Sequence, residues 1–130
     1  MTMHFMREVE NLKREILALG GLVEESVFKA VRSVLDNNSD LAREVVRRDD
    51  EIDELEVDIE EDCLKILALH QPVAVDLRFI VSVLKINSDL ERIGDLAGNI
   101  AQRALLLADE ADFPRPAILA AAAEKARGML

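Results

Sequence analysis

Apolar residues recur at every third or fourth position through most of this chain, and that spacing limits what it can fold into. In the first run Phe5, Val9, Leu12, Ile16, Leu19, Val23, Val27, Val31 and Val34 keep the step. A second run holds Leu41, Val45, Ile52, Leu55, Ile59, Cys63 and Ile66. A third holds Leu77, Ile80, Val81, Val83, Leu84, Leu90, Ile93, Ala97, Ile100, Ala104 and Leu107. A period near 3.6 predicts three long amphipathic helices. At about 1.5 Å per residue each is roughly 45 Å long. Such helices, joined by short turns, pack as an up-down-up bundle.

The breaks fix the turns. Asp36-Asn37-Asn38-Ser39-Asp40 is a turn cluster, with Ser39 or Asp40 as the expected N-cap. Pro72 is expected in the first turn of the third helix, where its missing N–H costs nothing. Asp76 suits the positive end of that helix. Gly20-Gly21 interrupts the first run and marks a bend or a close helix contact. Pro114 and Pro116 end the third run, and Ile118 to Leu130 reads as the opening turns of a further helix. The expected fold is therefore all-α: an antiparallel three-helix bundle over residues 1–110, then a linker and the start of a fourth helix over 111–130. That tail either closes a four-helix bundle or opens a second unit.

Composition agrees. Half of the 130 residues are apolar, yet there are four Phe and no Tyr or Trp. The net charge of -10 argues against binding nucleic acid through a basic face. It suits cations or a basic protein partner. No run approaches the roughly 20 apolar residues that span a bilayer, and no signal peptide is visible. Cys63 is the only cysteine, a small core residue by its place on the apolar stripe. Its solitude fits a reducing cytosol. There is no Ser/His/Asp or Cys/His arrangement and no phosphate-cradling glycine loop, so no catalytic machinery is expected.

Residues 49–62 hold ten acids and no Lys or Arg. Glu54, Asp58, Glu61 and Asp62 read as a solvated face. Asp49 and Asp53 are spaced i, i+4, as are Glu91 and Asp95, so each pair shares one helix face. If the second and third helices fold back about residue 72, Asp49 comes level with Asp95 and Asp53 with Glu91. Four carboxylates in one patch repel one another unless they take protons or a cation. Gly94, Ala97 and Gly98 flank the third-helix pair and make room near the backbone. Oxygen ligands suit Mg²⁺, Mn²⁺, Ca²⁺ or ferric iron, and Zn²⁺ less well. Opposite this patch on the first helix, Glu24 or Glu25 is an additional ligand or a solvated acid. A ferritin-like di-iron centre is not expected, because neither His4 nor His70 stands in a Glu-x-x-His motif. His70 reads as a turn residue or helix C-terminal partner.

Arg48-Asp49-Asp50-Glu51-Ile52-Asp53, Ala68-Leu69-His70-Gln71-Pro72-Val73-Ala74-Val75-Asp76-Leu77-Arg78, Leu84-Lys85-Ile86-Asn87-Ser88-Asp89-Leu90-Glu91-Arg92-Ile93-Gly94-Asp95 and Asn99-Ile100-Ala101 together resemble a PhoU domain. The resemblance implies two tandem three-helix repeats, of which this chain is the first plus the start of the second. It implies metal binding (Fe, Mn, Mg or Zn) at Asp49, Asp53, Glu91 and Asp95. It further implies a cytoplasmic, non-enzymatic negative regulator of phosphate uptake and phosphate-starvation signalling. The implied partners are the ATPase of a phosphate ABC transporter and a sensor histidine kinase. A repeat lacking its mate is expected to form a homodimer that buries the exposed face. The alternative is a helical interaction module with solvated acids and no metal.

Overall fold

The computed structural model describes residues 3–108 together with residues 124, 125, 127 and 128. Three helices account for the fold: α1 (Met3–Leu35), α2 (Ser39–His70) and α3 (Ala74–Ala108). Each packs against both others. No strand occurs among the described residues. The bundle is the expected up-down-up arrangement. Residues 124, 125, 127 and 128 are helical, and the Arg127 guanidinium stands 4.9 Å from the centre of the Phe28 ring. The rest of the expected linker and fourth helix lies outside the described residues.

The core follows the apolar step. Leu12, Leu19, Val23, Ile59, Cys63 and Ile80 are fully enclosed. Each buried aliphatic side chain of this size contributes about 1.5–3 kcal/mol. Burial also pushes the Cys63 thiol up to about 11, so it behaves as a small apolar residue. Leu77 and Val81 depart from expectation: both face outward, at 40% and 38% exposed. The apolar stripe on α3 is wider than two neighbouring helices cover. Val73, Val75, Leu96 and Leu106 are exposed on or beside the same helix.

The turns correct three expectations. Asn38, not Ser39 or Asp40, caps α2: its Oδ1 accepts from the Leu41 N–H at 3.1 Å. The five residues from Asp36 to Asp40 all carry cap-competent side chains, and Asn38, which holds extended backbone, is the one that caps. Pro72 lies before α3 rather than in its first turn. A residue preceding proline is steered out of the right-handed helical region. Gln71 ends α2 in the left-handed conformation of a helix C-terminal cap, its N–H donating to the Leu67 carbonyl. Ala74 also has positive φ. Gly20 and Gly21 sit inside an unbroken α1, and a β-carbon at either meets nothing within 4 Å, so they make no close helix contact.

Asn87 is the polar exception in the α2–α3 seam. It is 3% exposed, and its Nδ2 donates to the Glu56 carbonyl at 3.0 Å. This ties the middle of α3 to a fixed point on α2.

Candidate metal centre

Asp49 and Asp53 stand one turn apart on α2, and Asp95 faces them from α3. One carboxylate oxygen from each lies within 4.8 Å of the other two. The fold-back about residue 72 therefore brings together three of the four residues expected to come level, Glu91 excepted. Asp49 is half-buried, whereas Asp53 and Asp95 are exposed.

The backbone beside them explains the approach. A β-carbon on Gly98 would stand 3.9 Å from Asp49 Cγ, in contact with the carboxyl. One on Gly94 would touch Ile52 at 3.5 Å and Val23 at 3.8 Å. Glycine at these positions keeps α3 close to both neighbours and leaves the Asp49 carboxyl unobstructed.

The electrostatics are those of acids with only acids for company. Burial raises the Asp49 proton affinity above the ordinary carboxylate range, and the charges of Asp53, Asp95 and Asp50 raise it further. Asp53 is raised by burial, then by Asp95, Glu91 and Asp50. The nearest arginine in sequence does not help: Arg48 pairs with Glu25 of α1 at 3.0 Å. Arg92 pairs with Asp89.

Glu91 stands outside the three-carboxylate group. It lies near enough for its charge to act on Asp53, and it shares a hydrogen bond with Glu56. Burial pushes the Glu56 carboxyl up to about 7, and the Glu91 hydrogen bond and charge add to that. Such a pair needs one proton between its two carboxyls. Sequence reasoning passed over Glu56; its only signal was a place one turn beyond Asp53 on the same face.

Two further acids behave otherwise than expected. Asp62 is not simply solvated: it hydrogen-bonds Glu15 of α1, whose carboxyl burial and Asp62 push up to about 7. Glu25 adds no carboxylate to the Asp49 group. Lys29 and Arg48 hold it as an ion pair.

These donors fit a hard cation. All are carboxylate oxygens, they come from two helices, and their mutual repulsion is what a positive ion relieves.

Comparison with known proteins gives the setting. A family model described as the PhoU domain matches residues 16–104. The phosphate-specific transport system accessory protein PhoU homolog of Aquifex aeolicus is 49% identical over 108 residues, covering 83% of this chain and 49% of that protein. Its counterpart in Pseudomonas aeruginosa is 45% identical over 115 residues, 88% of this chain and 48% of that protein. The crystal structure of PhoU from Pseudomonas aeruginosa superposes with a TM-score of 0.88 at 42% identity, over 96% of this chain and 60% of that one. The chain thus spans about half the length of the curated relatives it matches.

Proposed function

The chain belongs to the PhoU family, and from that premise we propose that it is one three-helix unit of a non-catalytic accessory protein regulating phosphate transport. The relatives' names supply the transport system. Its work is docking. The acidic bundle binds the cytoplasmic ATPase of a phosphate transporter and a sensor histidine kinase, and it restrains phosphate uptake and starvation signalling. The observation that carries the metal part of this reading is the convergence of Asp49, Asp53 and Asp95 from two helices within 4.8 Å.

Asp49, Asp53 and Asp95 hold the ion, with Glu91 beside them. A cation such as Mg²⁺, Mn²⁺, Zn²⁺ or iron held by these residues would offset part of their charge and link α2 to α3. Uncovered apolar residues on α3 (Leu77, Val81 and Leu96 among them) provide a face for a second copy of the chain.

Metal analysis of the purified chain, beside an Asp49→Asn/Asp53→Asn/Glu91→Gln/Asp95→Asn variant, tests the site. Stoichiometric metal in the parent and loss of the seam's share in the variant is expected. Equal metal in both, or none in either after loading, makes the protein an acidic interaction module without a seam metal. Binding of each form to the purified ATPase and kinase, with and without metal, then tests the docking role. Sizing across a concentration range tests the dimer.

A further inference from the structure

The two histidines of the chain meet at one end of the bundle, away from the acidic seam. His4 Nε2 lies 3.0 Å from Glu8 Oε1, and His70 Nε2 lies 2.9 Å from Glu8 Oε2. Both imidazoles thus converge on one carboxylate, one to each oxygen, and the three ligand atoms lie within 4.8 Å of one another. His4 and Glu8 share a face of α1 through their i, i+4 spacing. His70 is the last residue of α2.

We propose that His4, Glu8 and His70 form a second metal site, one that takes a borderline transition cation such as Zn²⁺. The donor set decides the class. Two imidazole nitrogens and one carboxylate oxygen form a combination that zinc favours, with a further position left for water. Mg²⁺ and Ca²⁺ prefer oxygen alone, so this donor set disfavours them, whereas the all-oxygen seam accepts them.

The group is also built rather than incidental. His70 and Glu8 side chains are 19% and 24% exposed. The His70 ring stands edge-on to buried Phe5 with centroids 5.1 Å apart, which fixes its orientation. His4 is 70% exposed and free to close over an ion. Glu8 borders two shallow cavities, one lined by His4, Arg7 and Arg14 of α1 and the other by Asp62 and Lys65 of α2. The two arginines set a limit on affinity. Because imidazole binds metal only when unprotonated, affinity falls as pH is lowered. Bound metal would tie the first turns of α1 to the end of α2.

The test uses the variant with all four seam carboxylates neutralised, so that seam binding and this site are read apart. The chain holds only two histidines, so imidazole NMR reports on His4 and His70 alone. Zn²⁺ titration is expected to shift both imidazoles together to saturation at one equivalent. Co²⁺ is expected to give visible absorption from nitrogen ligation. His70→Gln and Glu8→Gln should each weaken Zn²⁺ binding by about tenfold or more, with the helical circular dichroism unchanged. His4→Gln, at an exposed position, serves as the variant without folding risk and should weaken binding likewise. Zn²⁺ that leaves both imidazoles unmoved, or shifts His4 alone, overturns the proposal and leaves an ion pair only. Binding that survives Glu8→Gln and His70→Gln unchanged also overturns it.

Discussion

Two clusters of acids lie within a few turns of each other and behave in opposite ways. Between α1 and α2, Glu25 and Glu44 both contact the Lys29 ammonium at 2.7 Å. Lys29 lowers the proton affinity of each, with Arg48 contributing. Between α2 and α3, Asp49, Asp53 and Glu56 find only other acids, and their proton affinities rise. The residue types are the same. What differs is the helix that faces them: α1 presents a lysine, whereas α3 presents Glu91 and Asp95. One cluster is closed by cations the protein carries itself. The other is left to protons or to an ion from outside.

Removing the apolar floor of the acidic seam should have the largest effect. Ile52 is 2% exposed and sits beneath Gly94. Ile52→Ala is expected to cost about 2–5 kcal/mol in urea unfolding and to loosen the seam, with little effect on the Lys29 cluster.

Acidity separates the Lys29 cluster from the acid-only pairs next, of which Glu15 with Asp62 lies between α1 and α2 and Glu56 with Glu91 between α2 and α3. Glu15 and Glu56 have folded values near 7, above their unfolded value of 4.5, so the folded state binds more protons between those limits. Their contribution is fully present below pH 4.5 and is lost as pH rises through about 7. Metal-free chain should therefore gain stability on going from pH 8 to pH 5. We expect about 1 kcal/mol for each group, discounting for the water that reaches both sites. Glu25 and Glu44 carry the opposite sign. Their lowered values add stability above pH 4.5, lost as pH falls below it. A stability curve that falls steadily from pH 8 to pH 5 in chelator would remove the contrast.

Glycine substitutions sharpen it further. Gly20→Ala meets no neighbour and should stabilise α1 by about 0.5–1 kcal/mol. Gly98→Ala should give a similar gain in metal-free protein, since its β-carbon makes only ordinary contact with Asp49. With cation present that gain should shrink, because the methyl occupies space beside the ligand. Thermal melts with and without metal measure both.

The smallest effect is expected at Lys29. Lys29→Met should move the Glu25 and Glu44 titrations upward by carboxyl NMR while leaving those of Asp49 and Asp53 in place. Coupled movement of all four would mean that the two clusters are one electrostatic unit.

Much of this was legible in the sequence. The apolar period located three helices, and the fold-back about residue 72 brought Asp49, Asp53 and Asp95 together. Other features depend on how each helix is rotated about its axis, which spacing does not reveal. Leu77 and Val81 fit the stripe but lie beyond the reach of α1 and α2. Asp62 reads as a solvated acid until Glu15 is placed opposite it, and nothing in the sequence distinguishes Glu56, because its partner Glu91 lies on another helix. The cap of α2 was ambiguous because Asn37, Asn38, Ser39 and Asp40 all have suitable side chains. His4 and His70 are 66 residues apart in sequence, and only the antiparallel return of α2 along α1 makes them neighbours.

Asn87 has a consequence for evolution and for design. A buried amide bonded to one backbone carbonyl acts as an index mark between two helices whose apolar surfaces would slide with little penalty. A slip of α3 by one turn, about 5.4 Å, would break that bond and carry Asp95 out of reach of Asp49. An apolar replacement would pack a comparable volume and free the register at once. Such a chain would remain helical and compact while losing the alignment on which any shared ligand depends.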